Sequence, residues 1–275
     1  MSKFNSPCYN RRIEYVQLNI MNKSVIYEQP LNEVIRACLK LEQIFQEIDR
    51  RSDDTSAPGT RHLISCVVDA LQLLDRPDLK TKLAKELNSH LTTLTRYSSM
   101  PEIDASKLKQ LSQQLEELSR NLIDSNGKIG HRLRDIEMLN TLRLHLAAPG
   151  GGCSFDLPLY HYWLQQPADT RRSTIADWLT DFTPIRTAVT LLLDLVRKNA
   201  KIDEKDAVHG FYQELLDPQS NLRMIRIGLS PDIKAYPEIS VGRHFLSVRY
   251  FLPTIEKRPS QYTENLSFWL AYCSL

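Results

Sequence analysis

The feature that most constrains this chain is a change of apolar period. Up to about Lys198 apolar residues recur at spacings of three and four; from Val208 onward they tend to alternate. The first period suits helices with one buried face, the second strands with one buried face. The switch predicts an α+β fold, with an N-terminal and central α-helical domain packed on a C-terminal antiparallel β domain.

Leu31, Val34, Ile35, Cys38, Leu41, Phe45 and Ile48 form one helical face, with Pro30 placed to start that helix. Leu63, Val67, Leu71 and Leu74 form a second. It breaks at Arg76-Pro77, because the residue before proline resists the α region. Leu79, Leu83, Leu87, Leu91 and Leu94 form a third, which Ser98 to Pro101 ends. Leu108, Leu111, Leu115, Leu118 and Leu122 alternate spacings of three and four, with Asp104 as N-cap and Asn126-Gly127 as the stop. This heptad-type stripe reads as an intramolecular helical hairpin, with a dimer seam as the alternative. Leu133 to Leu146, Leu157 to Leu164, Asp169 to Phe182 and Pro184 to Lys198 complete the predicted helices.

Four strands are predicted: His209 to Leu215, Leu222 to Leu229, Arg243 to Leu252 and Leu266 to Cys273. Proline-containing segments, Tyr236-Pro237 among them, are expected to separate them. The early stretch Ser24 to Glu28 is β-branched and aromatic but has no strand neighbours, so it is expected to join the C-terminal sheet. The predicted organisation is a disordered N-terminal extension over residues 1–20, a strand segment over 21–30, a helical domain over 31–200 and a β domain over 201–275. Met21 opens the first clearly structured segment and is a candidate translation start. Three of the nine glycines stand together at Gly150-Gly151-Gly152, read here as the seam between the two layers.

A net charge of +2 is too mild to imply nucleic acid as a partner. No apolar run approaches the roughly 20 residues that span a bilayer, so no membrane partner is expected. The N-terminus lacks the pattern of a signal peptide. Five scattered cysteines without a C-x-x-C pair favour reduced thiols in a cytosol over disulfides or zinc. The seven histidines form no H-x-x-x-H or H-E-x-x-H pattern, so neither metal nor cofactor is expected. Cys153 or Ser154 invites an enzyme reading as a nucleophile, with His161 eight residues after Cys153 or His145 eight before it as base, Cys153 with His161 being the pair preferred; a tight turn with a small thiol is the alternative. Arg243 and Arg249 share a strand face with Phe245 and Phe251. That mixture suits a carboxylate-bearing peptide, because guanidinium pairs with carboxylates as a fork; the alternative is that these arginines reach the rim or pair with internal acids.

Four blocks in order carry a family resemblance: Val25 to Glu33, Pro149 to Pro158, Gly210 to Gln213 and Tyr236 to Ser240. They resemble the ZapD family of bacterial cell division proteins, over about Met21 to Cys273. The resemblance implies a non-enzymatic, homodimeric cytoplasmic protein at the midcell division site. It would bind the C-terminal tail of FtsZ with basic residues and bundle FtsZ filaments into the Z ring. By the same resemblance, Arg76 and Arg249 match basic positions linked to the tail pocket. Lys40 and His161 match positions linked to bundling, Lys40 replacing an arginine. Arg243, Arg36, Lys80 and Arg134 complete the expected basic surface. Phe245 and Glu137 stand where the family pattern has basic residues; Arg243 and Arg134 are their nearest substitutes.

Overall fold

The computed structural model describes residues 23–97, 104–124, 127–146 and 148–274. The expectations for residues 1–20, the Met21 start, the Ser98 to Pro101 stop and Asn126 lie outside them. The chain divides into two compact units, one of Met1–Ile35 with Leu195–Leu275 and one of Arg36–Asp194.

Elements run in the order β1 (Val25–Pro30), α1 (Glu33–Arg51), α2 (Ala57–Leu74), α3 (Leu79–Tyr97), α4 (Ala105–Asp124), α5 (His131–Arg134), α6 (Glu137–His145), α7 (Pro158–Leu164), α8 (Ala168–Thr180) and α9 (Thr183–Lys198). The strands β2 (Ala200–Ala207), β3 (Phe211–Leu215), β4 (Leu222–Leu229), β5 (Tyr236–Val241), β6 (Phe245–Phe251) and β7 (Leu266–Ser274) follow. The α+β class holds.

In the helical unit the middles of the expected stripes are buried, Leu41, Leu71, Leu87 and Leu115 being at most 1% exposed, while Leu91, Leu94, Leu108 and Leu111 towards the far end of the α3–α4 pair are half-buried. Asp104 caps α4, its Oδ1 accepting from the Ser106 and Lys107 amides. The leucine stripe is used inside the chain. Leu115, Leu118 and Leu122 are buried, and α3 and α4 form an antiparallel hairpin on which Ser119 Oγ reaches the Ala84 carbonyl. The single fifth helix expected from Leu133 to Leu146 is two, α5 and α6, parted at Asp135–Ile136. Pro30 does not start α1. It is the last residue of β1, and Asn32 caps the helix by accepting from the Ile35 amide at 2.8 Å.

The glycine triple is not a seam, since it lies inside the helical unit between α6 and α7. Gly150 and Gly152 have φ of 73° and 93°, and a Cβ on Gly151 would lie 1.9 Å from the His145 carbonyl oxygen. The triple is a turn that packs backbone on backbone, which only glycine permits.

The β unit holds two antiparallel sheets, ordered β1-β4-β7-β2 and β3-β6-β5. Ile225 and Ile227 of β4, Phe268 and Leu270 of β7 and Leu246, Val248 and Tyr250 of β6 share one buried cluster, so the sheets face each other across it. The early strand joins as expected: Val25 pairs with Leu229 and Pro30 with Met224.

Two strands were not legible. β2 (AKIDEKDA) carries only two fully buried residues, because it is a charged edge strand paired with β7 alone. β5 contains Pro237, which is tolerated because β5 is an edge. His209 is not in a strand. His209 and Gly210 have φ of 51° and 67° and turn β2 into β3, closed by the Val208–Phe211 bridge.

Candidate peptide-binding surface

The site begins at the corner between α2 and α3. Ser56 caps α2, its Oγ accepting from the Gly59 amide at 3.1 Å. Pro77 forbids the helix to continue, and Asp78 takes a left-handed φ of 65°, so the corner is fixed by backbone geometry. Just before it, α1 and α2 border a shallow, open groove of about 640 Å³. Leu39, Ile44 and Leu73 supply its apolar wall, and Lys40, Arg76 and Asp69 its charges. Lys40 is exposed and Arg76 half-buried. Two of the expected cations therefore meet at one apolar groove, an arrangement that seats an apolar side chain while pairing carboxylates beside it. The flanking Leu39, Ile44 and Leu73 were not singled out from the sequence. They sit at the margins of the apolar stripes, and that marginal position was the available signal.

Arg134 is turned into the fold rather than towards a ligand. Its Nε donates to Asp75 Oδ1 at 3.0 Å and its Nη2 to the Leu71 carbonyl at 3.3 Å, with a further bond to the Ile129 carbonyl. Asp75 also binds Arg143, and Lys128 at 3.4 Å. Burial alone would raise the Asp75 carboxyl, but Arg134 and Arg143 outweigh it and hold it below the usual range. This network ties the end of α2 to α5 and α6, directly beside Arg76.

Of the remaining candidates in the helical unit, Arg36 is exposed on α1 one turn before Lys40. Lys80 lies on the first turn of α3, its Nζ donating to the Gly127 carbonyl at 3.2 Å. His161 is exposed on α7 beside the buried Tyr160. Glu137 is exposed at the start of α6, where a carboxylate suits the helix dipole. The Cys153 thiol donates to the Gly150 carbonyl at 3.0 Å, inside the glycine turn. Among the described residues, no group of three His, Cys, Asp or Glu is placed to hold a metal ion, and no helix is long and apolar enough to cross a membrane.

In the β unit, β6 buries Leu246, Val248 and Tyr250 and turns Phe245 and Arg249 outward. Arg249 pairs in register with Glu238 of β5 and Phe211 of β3, and its guanidinium lies 5.9 Å from the Phe211 ring centroid. Arg243 is exposed but lies in the β5–β6 connection rather than in the strand, because β6 begins only at Phe245. The sheet thus presents one arginine on an aromatic face, with a second at its rim.

A family model described as "ZapD: Cell division protein" matches residues 39–249, a stretch that holds Lys40 and Arg76 and ends on Arg249. The chain belongs to the ZapD family. The relative from Coxiella burnetii (strain RSA 493 / Nine Mile phase I), named Cell division protein ZapD, is 36% identical over 256 residues, 92% of this chain and 98% of its own. The ZapD of Nitrosomonas europaea is 34% identical over 251 residues, 91% of this chain and 95% of its own. The ZapD of Shigella flexneri is 34% identical over 253 residues, 92% of this chain and all of its own length. Cell division is therefore the process to which this ZapD-family chain belongs.

Proposed function

We propose that this chain is a non-enzymatic FtsZ cross-linker, cytoplasmic and acting at the midcell division site. It grips the C-terminal tail of FtsZ, and as a homodimer it holds two tails at once. The carrying observation is the α1–α2 groove, in which Lys40 and Arg76 flank an apolar wall. The outward face of β6 in the β unit, with Arg249 over Phe211, offers a cationic contact of its own. Arg36 and His161 are further exposed candidates in the helical unit, and Arg243 is one in the β unit. Arg134 leaves the list, since its guanidinium serves the fold.

Cross-linking needs two grips on one body, because a second weak site acts at high effective concentration once the first is filled. We assign self-association to an exposed apolar patch made by Phe155, in the turn before α7, with Leu159 and Tyr162 on α7. Phe155, Leu159 and Tyr162, at spacings of four and three, are 82%, 56% and 66% exposed. Sedimentation equilibrium is expected to give a dimer, and Leu159→Asp a monomer that binds the tail but no longer bundles filaments. A Leu159→Asp protein that still sediments as a dimer would move the interface elsewhere.

Tail binding is tested by fluorescence anisotropy with a labelled FtsZ tail peptide. Affinity is expected to fall with salt, since exposed charges are screened over about 10 Å at 0.1 M ionic strength. A salt-independent affinity would contradict the charge-assisted grip.

A further inference from the structure

The outward face of the three-stranded sheet carries more than its arginine. β3 and β6 pair in register, so Leu215 stands beside Phe245, Gln213 beside Ser247 and Phe211 beside Arg249, all on the face turned away from the core. Leu215 is 86% exposed and Phe245 44%. Neither packs against the buried cluster between the sheets, which takes Leu216 and Leu246, the next residue along each strand. The Phe245 ring is seated beside Gly242, its nearest ring atom 3.4 Å from where a Cβ would stand there. A leucine and a phenylalanine side by side at a strand end thus form an apolar step that the core does not use.

Arg249 lies on the same face four residues along β6 from Phe245, a distance of about 13 Å at the rise of a strand. Its guanidinium leans on the Phe211 ring. Glu238 is its register partner on β5, but among the described residues the two form no ion pair. Cation and apolar step therefore both favour the β3 side of β6, with the smaller polar Ser247 and Gln213 between them.

From this placement we propose that the face binds one extended acidic peptide segment aligned with β6. A carboxylate side chain of the segment meets Arg249, and an apolar side chain four residues away covers Leu215 and Phe245. The spacing follows from strand geometry. A chain packed on a sheet runs within about 30° of its strands, and residues i, i+2 and i+4 of an extended chain face the same way. Side chains i and i+4 of the segment then span the distance from Arg249 to Phe245, while i+2 falls on Ser247, where room is left. Charge complementarity selects the partner: an exposed guanidinium without a carboxylate of its own accepts an acid, and the apolar step gains by being covered. The inference rests on the tail-binding reading and specifies, for the β unit by itself, what the tail presents there: an acidic and an apolar residue four apart.

The test uses the full chain and a labelled FtsZ tail peptide, with each peptide residue in turn replaced by alanine and anisotropy as readout. Leu215→Ser combined with Phe245→Ser is expected to weaken the unsubstituted peptide roughly fivefold. One apolar peptide residue should lose its alanine effect in that double variant and one acidic residue in Arg249→Ala, because partners in one contact are not additive. Those two peptide residues should lie four apart. Glu238→Gln should tighten binding about twofold at low salt, since it removes a carboxylate that repels the peptide's own. Another spacing, additive effects throughout, or weaker binding by Glu238→Gln overturns the proposal. If the Leu215, Phe245 double variant binds like wild type while Lys40→Ala with Arg76→Ala abolishes binding, the sheet face is not used and the tail reading stands. If the unsubstituted peptide does not bind, both readings fall. A double variant altered only in sedimentation equilibrium would give the face to a second copy of the chain and overturn the peptide assignment. A denaturation midpoint equal to wild type ties the loss to the face; a lowered midpoint accompanying the loss would overturn the assignment.

Discussion

In the β unit one carboxylate, Glu28, holds two arginines. Its oxygens meet Arg197 Nε at 2.9 Å and Nη2 at 2.8 Å, and Arg226 Nε at 2.9 Å. In the helical unit one carboxylate, Asp75, holds Arg134, Arg143 and Lys128. Each hub fastens elements distant in sequence: β1 to β4 and the segment after Leu195 in one, α2 to α5 and α6 in the other. The units differ in the cations they leave outside these hubs. The helical unit sets Lys40 and Arg76 around a concave apolar groove, whereas the β unit lays Arg249 on a sheet face beside aromatic rings. Both settings leave their cations open to solvent, where ion pairs are worth little; the groove adds an apolar wall beside them. On the proposed reading, apolar contact beside the cations makes the helical unit the larger expected contributor to tail binding.

The largest expected effect is on the hubs. Glu28→Ala leaves two arginines without their carboxylate, one of them only 15% exposed, and should cost about 3 kcal/mol in urea denaturation. A loss below about 1 kcal/mol would show the hub is mere decoration. Asp75→Ala should cost less, about 1–2 kcal/mol, because its side chain is 26% exposed and Lys128 more so.

The hubs also carry a pH signature. Burial would raise the Glu28 carboxyl, but Arg197 and Arg226 outweigh it and hold it below the usual range. A carboxyl lowered on folding contributes stability above its ordinary value and loses it as pH falls through the folded value. The stability gap between wild type and Glu28→Gln should therefore be full at about pH 6 and shrink below about pH 4. A gap that widens on acidification would reverse the sign of the argument.

The next effect separates the two surfaces. The double substitution Lys40→Ala with Arg76→Ala should weaken tail-peptide binding by more than about tenfold, at roughly 1–1.5 kcal/mol per charge-assisted bond, and leave the fold intact. The smallest expected effect is Arg249→Ala, a loss of about two- to fivefold, in keeping with an exposed cation–π partner. If Arg249→Ala proves the more damaging, the sheet face is the primary grip and the ranking of the two units is reversed.

Much of this was legible in the sequence where period and burial agree. The heptad-like stripe from Leu108 to Leu122 gave its helix, its cap at Asp104 and its intramolecular partner. β6 buries Leu246, Val248 and Tyr250 as expected, but it ends at Phe251, and Leu252, expected on the same face, is 38% exposed. What escaped had weak apolar contrast. β2 is charged because it is an edge, and β5 hides behind Pro237 for the same reason. The glycine triple was conspicuous, but its work is a close approach to the His145 carbonyl, which composition cannot distinguish from a boundary. For the site, Lys40 and Arg76 came from family resemblance, and their shared groove depends on which faces of α1 and α2 meet. The inward direction of the Arg134 guanidinium was not legible, because it depends on where Asp75 lies, 59 residues away in sequence.

The most direct measurement of the central claim is co-sedimentation with polymerised FtsZ, comparing wild type with the Lys40→Ala, Arg76→Ala double variant and full-length FtsZ with a form lacking its C-terminal tail. The account predicts that wild type pellets with full-length polymer only, and that the double variant stays in the supernatant with both. Pelleting of wild type with tail-less polymer, or of the double variant with full-length polymer, would contradict it.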